Sequence, residues 1–167
     1  MQRFQRMLVP VDFSPPSHDA MAAALDLAAS QGARVDLVHV FEPPDFPALY
    51  GASALKVYGK VPDLREAAKH SLHEWLSEAH RVHPDVASHF REGHAASEIV
   101  AAAESLKSDL IVLSTHGHTG LKHVLLGSVA EHVVRVAPCP VLVMRAHVAP
   151  ERDDDATERP ALAEQNA

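Results

Sequence analysis

The sequence predicts an α/β fold: a three-layer sandwich in which helices cover both faces of a five-stranded parallel sheet. Two observations carry this. Five short apolar runs alternate with four segments of helical periodicity, giving the order β-α-β-α-β-α-β-α-β. The runs are also close to continuously apolar, which suits strands buried on both faces, and right-handed crossovers then place the helices on both sides. A chain of 167 residues with 47% apolar content is enough for one domain with a real core.

Met7 to Val11 is the first strand and ends at Asp12. Ser14-Pro15-Pro16-Ser17 reads as a helix start, because a serine oxygen accepts an orphan N–H and proline suits the first turn. Met21, Ala24, Leu25 and Ala28 give this helix its buried side, and Gly32 stands where a left-handed cap ends it. Arg34 to Phe41 (RVDLVHVF) is the second strand. Residues 42–62, broken by Pro43, Pro44, Pro47, Gly51, Gly59 and Pro62, are expected to be a long loop. A helix follows from about Asp63 to His83, with Leu64, Ala68, Leu72, Trp75, Leu76 and Ala79 on one face and Pro84 as its stop. Asp85 to Arg91 is a weaker strand, and Gly93 turns the chain into a helix over Ala96 to Leu106. Asp109 to Ser114 (DLIVLS) is the clearest strand of all. The loop 115–126 leads to a helix over Ser128 to Val136, which Pro138-Cys139-Pro140 breaks before the last strand, Val141 to Arg145.

Charge and composition exclude several functions. No run of 18 apolar residues exists, so no membrane span is expected. The net charge of −7 argues against a nucleic-acid partner bound through a broad basic face. Residues 146–167 hold six acids against two arginines, so −4 of that charge sits in the tail and −3 in the body. The tail lacks an apolar face, and the expected organisation is a domain over 1–147 followed by a disordered acidic segment, 148–167. One cysteine, Cys139, permits no internal disulfide and suits a reducing, cytoplasmic setting. Cys139 itself reads as a small buried residue.

In an open parallel sheet, ligands bind beyond the carboxyl ends of the strands where strand order reverses. The first strand ends in Pro10-Val11-Asp12 and the fourth in Leu113-Ser114-Thr115-His116-Gly117. If these strands are neighbours, their ends frame one crevice. Gly127-Ser128 stands at a helix start, where unpaired N–H groups and the helix dipole welcome an anion and glycine lets a phosphate approach. The same pair also reads as nothing more than a turn with a serine cap.

Other constellations are weaker. Gly-x4-Gly-Lys-Ser/Thr is absent, which removes a P-loop, and so is Gly-x-Gly-x2-Gly. No Gly-x-Ser-x-Gly elbow supports a hydrolase triad. Among the 13 histidines, His70, His73, His80 and His83 share the second helix, where a solvated face is a better account than a metal site. His118 and His123 fall in the loop after the fourth strand and read as solvated or as phosphate contacts when protonated.

STHGHTGLKHVLLGSVAEHVVRVAPCPVLVMR resembles the C-terminal signature of the universal stress protein family, and MLVPVDFSPPSHDAMAAALDLA and DLVHVF resemble its opening strand, aspartate, helix and second strand. The resemblance covers about residues 5–145. It implies a Rossmann-like sheet in the order 3-2-1-4-5 and a homodimer, here expected to join along Val141–Arg145. It also implies ATP, accompanied by Mg²⁺, as ligand. The ATP-binding branch carries Gly-x2-Gly-x9-Gly-Ser/Thr. Here Gly117 is the second glycine, 118–126 are the nine intervening residues, and Gly127-Ser128 closes the motif, but Ser114 stands at the first glycine. The resemblance assigns Pro10, Val11, Asp12 and Val40 to the adenosine side and Gly117, Gly127, Ser128 and Val129 to the phosphates; Leu113, Ser114 and His116 are expected in the same nucleotide site. The implied function is an ATP-binding regulatory stress-response protein with at most slow hydrolysis. A stress scaffold that has lost its nucleotide through Ser114 is the alternative. An ATP-cleaving ligase is disfavoured, because Pro10 to Ser14 replaces the Ser-Gly-Gly pyrophosphate loop such an enzyme needs.

Overall fold

A computed structural model describes residues 3–43, 60–115 and 127–145. Their elements are β1 (Arg6–Pro10), α1 (Pro15–Gln31), β2 (Arg34–Phe41), α2 (Val61–Val82), β3 (Val86–Glu92), α3 (Ala95–Leu106), β4 (Leu110–Ser114), α4 (Ser128–Val136) and β5 (Val141–Met144). The strands form one sheet in the order β3-β2-β1-β4-β5, and every pair is parallel.

Alternation along the strands divides the core. Met7, Val9, Val35, Leu37, Leu110 and Val112 point to one face, where they meet Ala20, Met21, Ala24 and Leu25 of α1 and Leu72 and Ala79 of α2. Leu8, Val38, Ile111 and Leu113 point to the other, against Ile99, Ala102 and Ala103 of α3 and Ala130 and Val133 of α4. Side chains of this size contribute about 1.5–3 kcal/mol each when buried. The stacked small residues of α1 and α3 let these helices lie close on the sheet.

Helix ends follow the chemistry of the sequence. Ser14 Oγ accepts a hydrogen bond from the Ser17 N–H at 3.4 Å, with proline at the start of α1. Gly32 closes α1 with φ 66°, the left-handed value that glycine adopts without penalty. At α3 the same role falls to Lys107, φ 55°.

Two expectations about α2 need correction. Leu64 is 49% exposed, so the apolar stripe begins only further along the helix. The histidines at its C-terminal end are not simply solvated: His83 is buried with its Nε2 2.8 Å from the Ala33 carbonyl, and His80 Nε2 lies 3.0 Å from that of Val86. A carbonyl only accepts, so both rings donate and tie the end of α2 to the start of β2 and β3. Cys139 is half-buried rather than fully enclosed, and burial, helped by the charge of Asp109, pushes its thiol up. The loop centre (44–59), His118, His123 and the tail from 146 lie outside the described residues.

Candidate functional site

β1 and β4 are neighbours, with Met7 beside Leu110 and Leu8 beside Ile111. After β1 the chain enters α1 on one face; the helix that follows β4 in the described chain, α4, lies on the other. The divergence opens a crevice at the carboxyl ends of the strands, as order reversal predicts. It holds a cavity of about 380 Å³.

Four of its walls come from the segments singled out in the sequence. Pro10, Val11 and Asp12 enter from the end of β1, Val40 from β2, Leu113 and Ser114 from β4, and Gly127, Ser128 and Val129 from the start of α4. His116 and Gly117 lie outside the described residues. The sequence reading missed Ser17, Val38, His39, Thr115 and Ala130, which extend these walls, and Ala95 and Ile99 of α3, which form a further one. Val38 was within reach, since it shares a strand face with Val40. Ile99 was not, because nothing local says which helix leans over the crevice.

The lining is apolar at Val11, Val38, Val40, Ile99 and Leu113 and polar at the rims. At one rim, the Asp12 carboxylate accepts hydrogen bonds from the Ser14 N–H (3.0 Å) and the Ser14 hydroxyl, and the Asp12 N–H reaches Ser17 Oγ at 3.3 Å. At the other rim is the first turn of α4. Its cap is Gly127, with no side-chain hydrogen bond. Ser128 therefore does not cap the helix, as the simpler reading of the pair required. The first intrahelical bond runs from Glu131 N–H to Gly127 carbonyl at 2.8 Å, which leaves the N–H groups of Ser128, Val129 and Ala130 without an intrahelical acceptor. Such groups, with the dipole behind them, favour an anion.

A side chain at Gly127 would be crowded whether or not a ligand binds. Its N–H donates to the Thr115 carbonyl at 2.8 Å, and a Cβ at this position would sit 3.0 Å from that same oxygen. Its φ of −67° is open to any residue, so the constraint is closeness alone. Among the described residues no lysine or arginine lines the cavity and no cluster of three metal-ligating side chains exists.

His39, also in the cavity wall, stands beside the β1 end. Its Nδ1 lies 2.8 Å from the Val11 carbonyl, so Nδ1 carries the proton. Burial pushes its pKa down, against the opposing pull of the Val11 hydrogen bond and the Asp12 charge. The ring stacks on Phe13 with centroids 4.3 Å apart.

Comparison with known proteins agrees with this architecture. The Universal stress protein family profile matches residues 3–145. Universal stress protein MJ0531 of Methanocaldococcus jannaschii is 34% identical over 142 residues, covering 85% of this chain and 82% of that protein. Universal stress protein A homolog 1 of Coxiella burnetii is 34% identical over 146 residues, covering 84% and 96%. The solved structure of universal stress protein UspA from Lactobacillus plantarum superposes with a TM-score of 0.76 at 24% identity, covering 87% of this chain and all of that one. Two other solved proteins of this fold carry nucleotides: a universal stress protein in complex with cAMP, and an Arabidopsis thaliana family member with AMP bound.

Proposed function

The chain belongs to the universal stress protein family, and from that premise we propose that its cavity binds an adenine nucleotide, ATP with Mg²⁺, as a regulatory ligand. One observation carries the reading: an apolar crevice at the reversal between β1 and β4 ends on the first turn of α4, which no side chain caps among the described residues. The apolar walls suit a base and ribose. The N–H groups of residues 128–130 suit phosphate oxygens, and Asp12 suits a ribose hydroxyl. The cavity has the size of a small-molecule site. The cAMP and AMP complexes of other family members are in keeping with it, although at 23% and 18% identity they speak to the fold rather than to this site. The reading is occupancy and release of the nucleotide, with slow hydrolysis at most.

The test is a calorimetric titration of the purified chain with ATP, AMP and cAMP, with and without Mg²⁺, beside mass analysis of whatever heat denaturation releases. Micromolar binding of ATP is the expected result. No binding of any of the three would return the protein to the scaffold reading.

The same proposal includes a homodimer in the cytoplasm. β5 is an edge of the sheet among the described strands, with Leu142 40% exposed on it, and such edges take partners. Two copies related by a two-fold axis pair this strand antiparallel over Val141–Arg145, and Pro140 lies just before the strand, where a missing donor is harmless. Light scattering at micromolar concentration is expected to give twice the 18.1 kDa chain mass, unchanged when 148–167 is removed. A monomer would refute the pairing.

A further inference from the structure

The turn that presents Asp12 to the cavity is held by a residue of the cavity wall itself, His39. Val38 and Val40 belong to the core under α3 and α4, whereas the ring of His39 between them packs with Phe13 and Phe90 on the face of α1 and α2. From there its Nδ1–H reaches across to the carbonyl of Val11, the residue before Asp12. Phe13, the residue after Asp12, stacks on the same ring and has a φ of +65°, a left-handed value that a bulky side chain rarely adopts. Trp75 of α2 then closes on Phe13 edge-on, with centroids 5.5 Å apart. Asp12 is thus clamped on both sides by one ring. Its carboxylate is turned forward to Ser14 while its neighbours are gripped by that ring.

We propose that His39 is a positioning residue for the nucleotide site: through its bond to Val11 and its stack on Phe13 it fixes Asp12, and so sets how tightly the nucleoside end of the ligand is held. This rests on the nucleotide reading above and adds to it a residue that, although it lines the cavity, acts through Asp12 and not by touching the phosphates. The effect is confined by geometry. The first turn of α4 is tied to Thr115, just past β4, so the anion end of the cavity is held by a different strand end from the one His39 grips.

That separation supplies the test. The full chain and its variants are titrated with ATP and with tripolyphosphate, both with Mg²⁺. His39→Ala is expected to weaken ATP about tenfold, or about 1.4 kcal/mol, and to leave tripolyphosphate affinity within twofold. The retained tripolyphosphate binding shows that the variant folds. His39→Asn places an amide N–H where Nδ1 stood and is expected to recover part of the loss. His39→Phe keeps the stack without the donor, and is the fallback where alanine does not fold. In an Asp12→Ala background His39→Ala is expected to add little, since it acts through that residue. Losses that simply add, or an equal loss for tripolyphosphate, would overturn the positioning role while leaving nucleotide binding intact. A wild type that binds neither ATP nor tripolyphosphate would overturn the nucleotide reading and this role with it.

Discussion

The two ends of the sheet treat buried polarity in opposite ways. Near the amino ends of β1, β2 and β3, the fully buried Asp36 carboxylate takes a hydrogen bond from Arg6 Nε at 2.6 Å, another from Arg34 Nε at 3.3 Å, and a third from His89 Nε2 at 2.8 Å. Beside it, Asp109 accepts from the backbone N–H groups of Gln5 and Arg6. Each acceptor is met by a donor of the protein's own. Burial pushes Asp36 up, and the hydrogen bonds from Arg6 and His89, with the charges of Arg6 and Arg34, outweigh it, so the carboxyl ionises below its ordinary range. At the carboxyl ends the sheet instead opens on a helix start that no side chain caps among the described residues. A closed polar network fixes strands in place. An open one has something left to give a ligand.

The largest expected effect comes from breaking the closed end. Asp36→Ala leaves two guanidinium groups facing a buried space without their counter-charge. Loss of one partner in a buried pair costs about 3–5 kcal/mol. Arg6 and Arg34 are a third or more exposed and regain some hydration, so the low end, about 3 kcal/mol, is expected in urea unfolding. ATP affinity should stay within twofold, because no atom of the network reaches the cavity. Asp36 ionises below the ordinary carboxyl value of 3.8, so its stabilising contribution is complete above that pH and is lost as pH falls through its lower folded value. Asp36→Asn should therefore flatten the acid limb of the stability curve below about pH 4. An unaltered acid limb would mean that the carboxylate is not held by these partners.

The open end is tested at Gly127. An aspartate there adds a side-chain oxygen at a helix cap, where it accepts from the same N–H groups that would hold phosphate. It also adds charge repulsion. Loss of ATP binding by at least about 100-fold, or about 2.7 kcal/mol, is the expected result of Gly127→Asp. The new cap offsets part of the crowding of Thr115, so the melting temperature should move by only a few degrees. Gly127→Ala separates the two causes: it crowds Thr115 equally but blocks no donor, and should cost only about tenfold in affinity. Equal losses for the two variants would show that packing, and not anion binding, is what Gly127 serves.

The two ends also differ in how far the sequence disclosed them. Strand runs such as DLIVLS and the caps at Ser14 and Gly32 are local signals, and the elements they predict are present. The strand order was legible only through the family resemblance. Proline and valine before Asp12, and glycine and serine before an apolar helix, were enough to bring most of the proposed site together, because each is a chain segment whose end position follows from topology. Asp36 gave no such sign. It stands in a valine-rich run, and its partners come from positions 6, 34 and 89, which only the pairing of three strands brings together. His39 was hidden for the same reason: its partners are a carbonyl on β1 and a ring past the end of that strand. Nor could spacing reveal that His80 and His83 bind carbonyls across the fold. Local patterns show what an element is; they do not show which groups meet when the layers close.

The smallest effect belongs to Ser114, which stands where the ATP-binding pattern has glycine. It ends β4 beside Met144, is half-buried, and borders the cavity. If the open end binds nucleotide, this side chain already tolerates it, and Ser114→Gly should shift ATP affinity by no more than about tenfold, or about 1.4 kcal/mol. A gain would mean that the hydroxymethyl group crowds the ligand. A loss of similar size would mean that the hydroxyl makes a hydrogen bond to it. Glycine also loosens the chain, at a cost of about 0.5–1 kcal/mol in stability, so affinity has to be read at a temperature where both forms are folded. A wild type that ignores ATP beside a Ser114→Gly variant that binds it strongly would make Ser114 a lock, and the natural protein a scaffold on a nucleotide-binding frame. Absence of binding in both forms would reduce the uncapped turn at Gly127 to an ordinary helix start, and the contrast between the two ends of the sheet would lose its functional meaning.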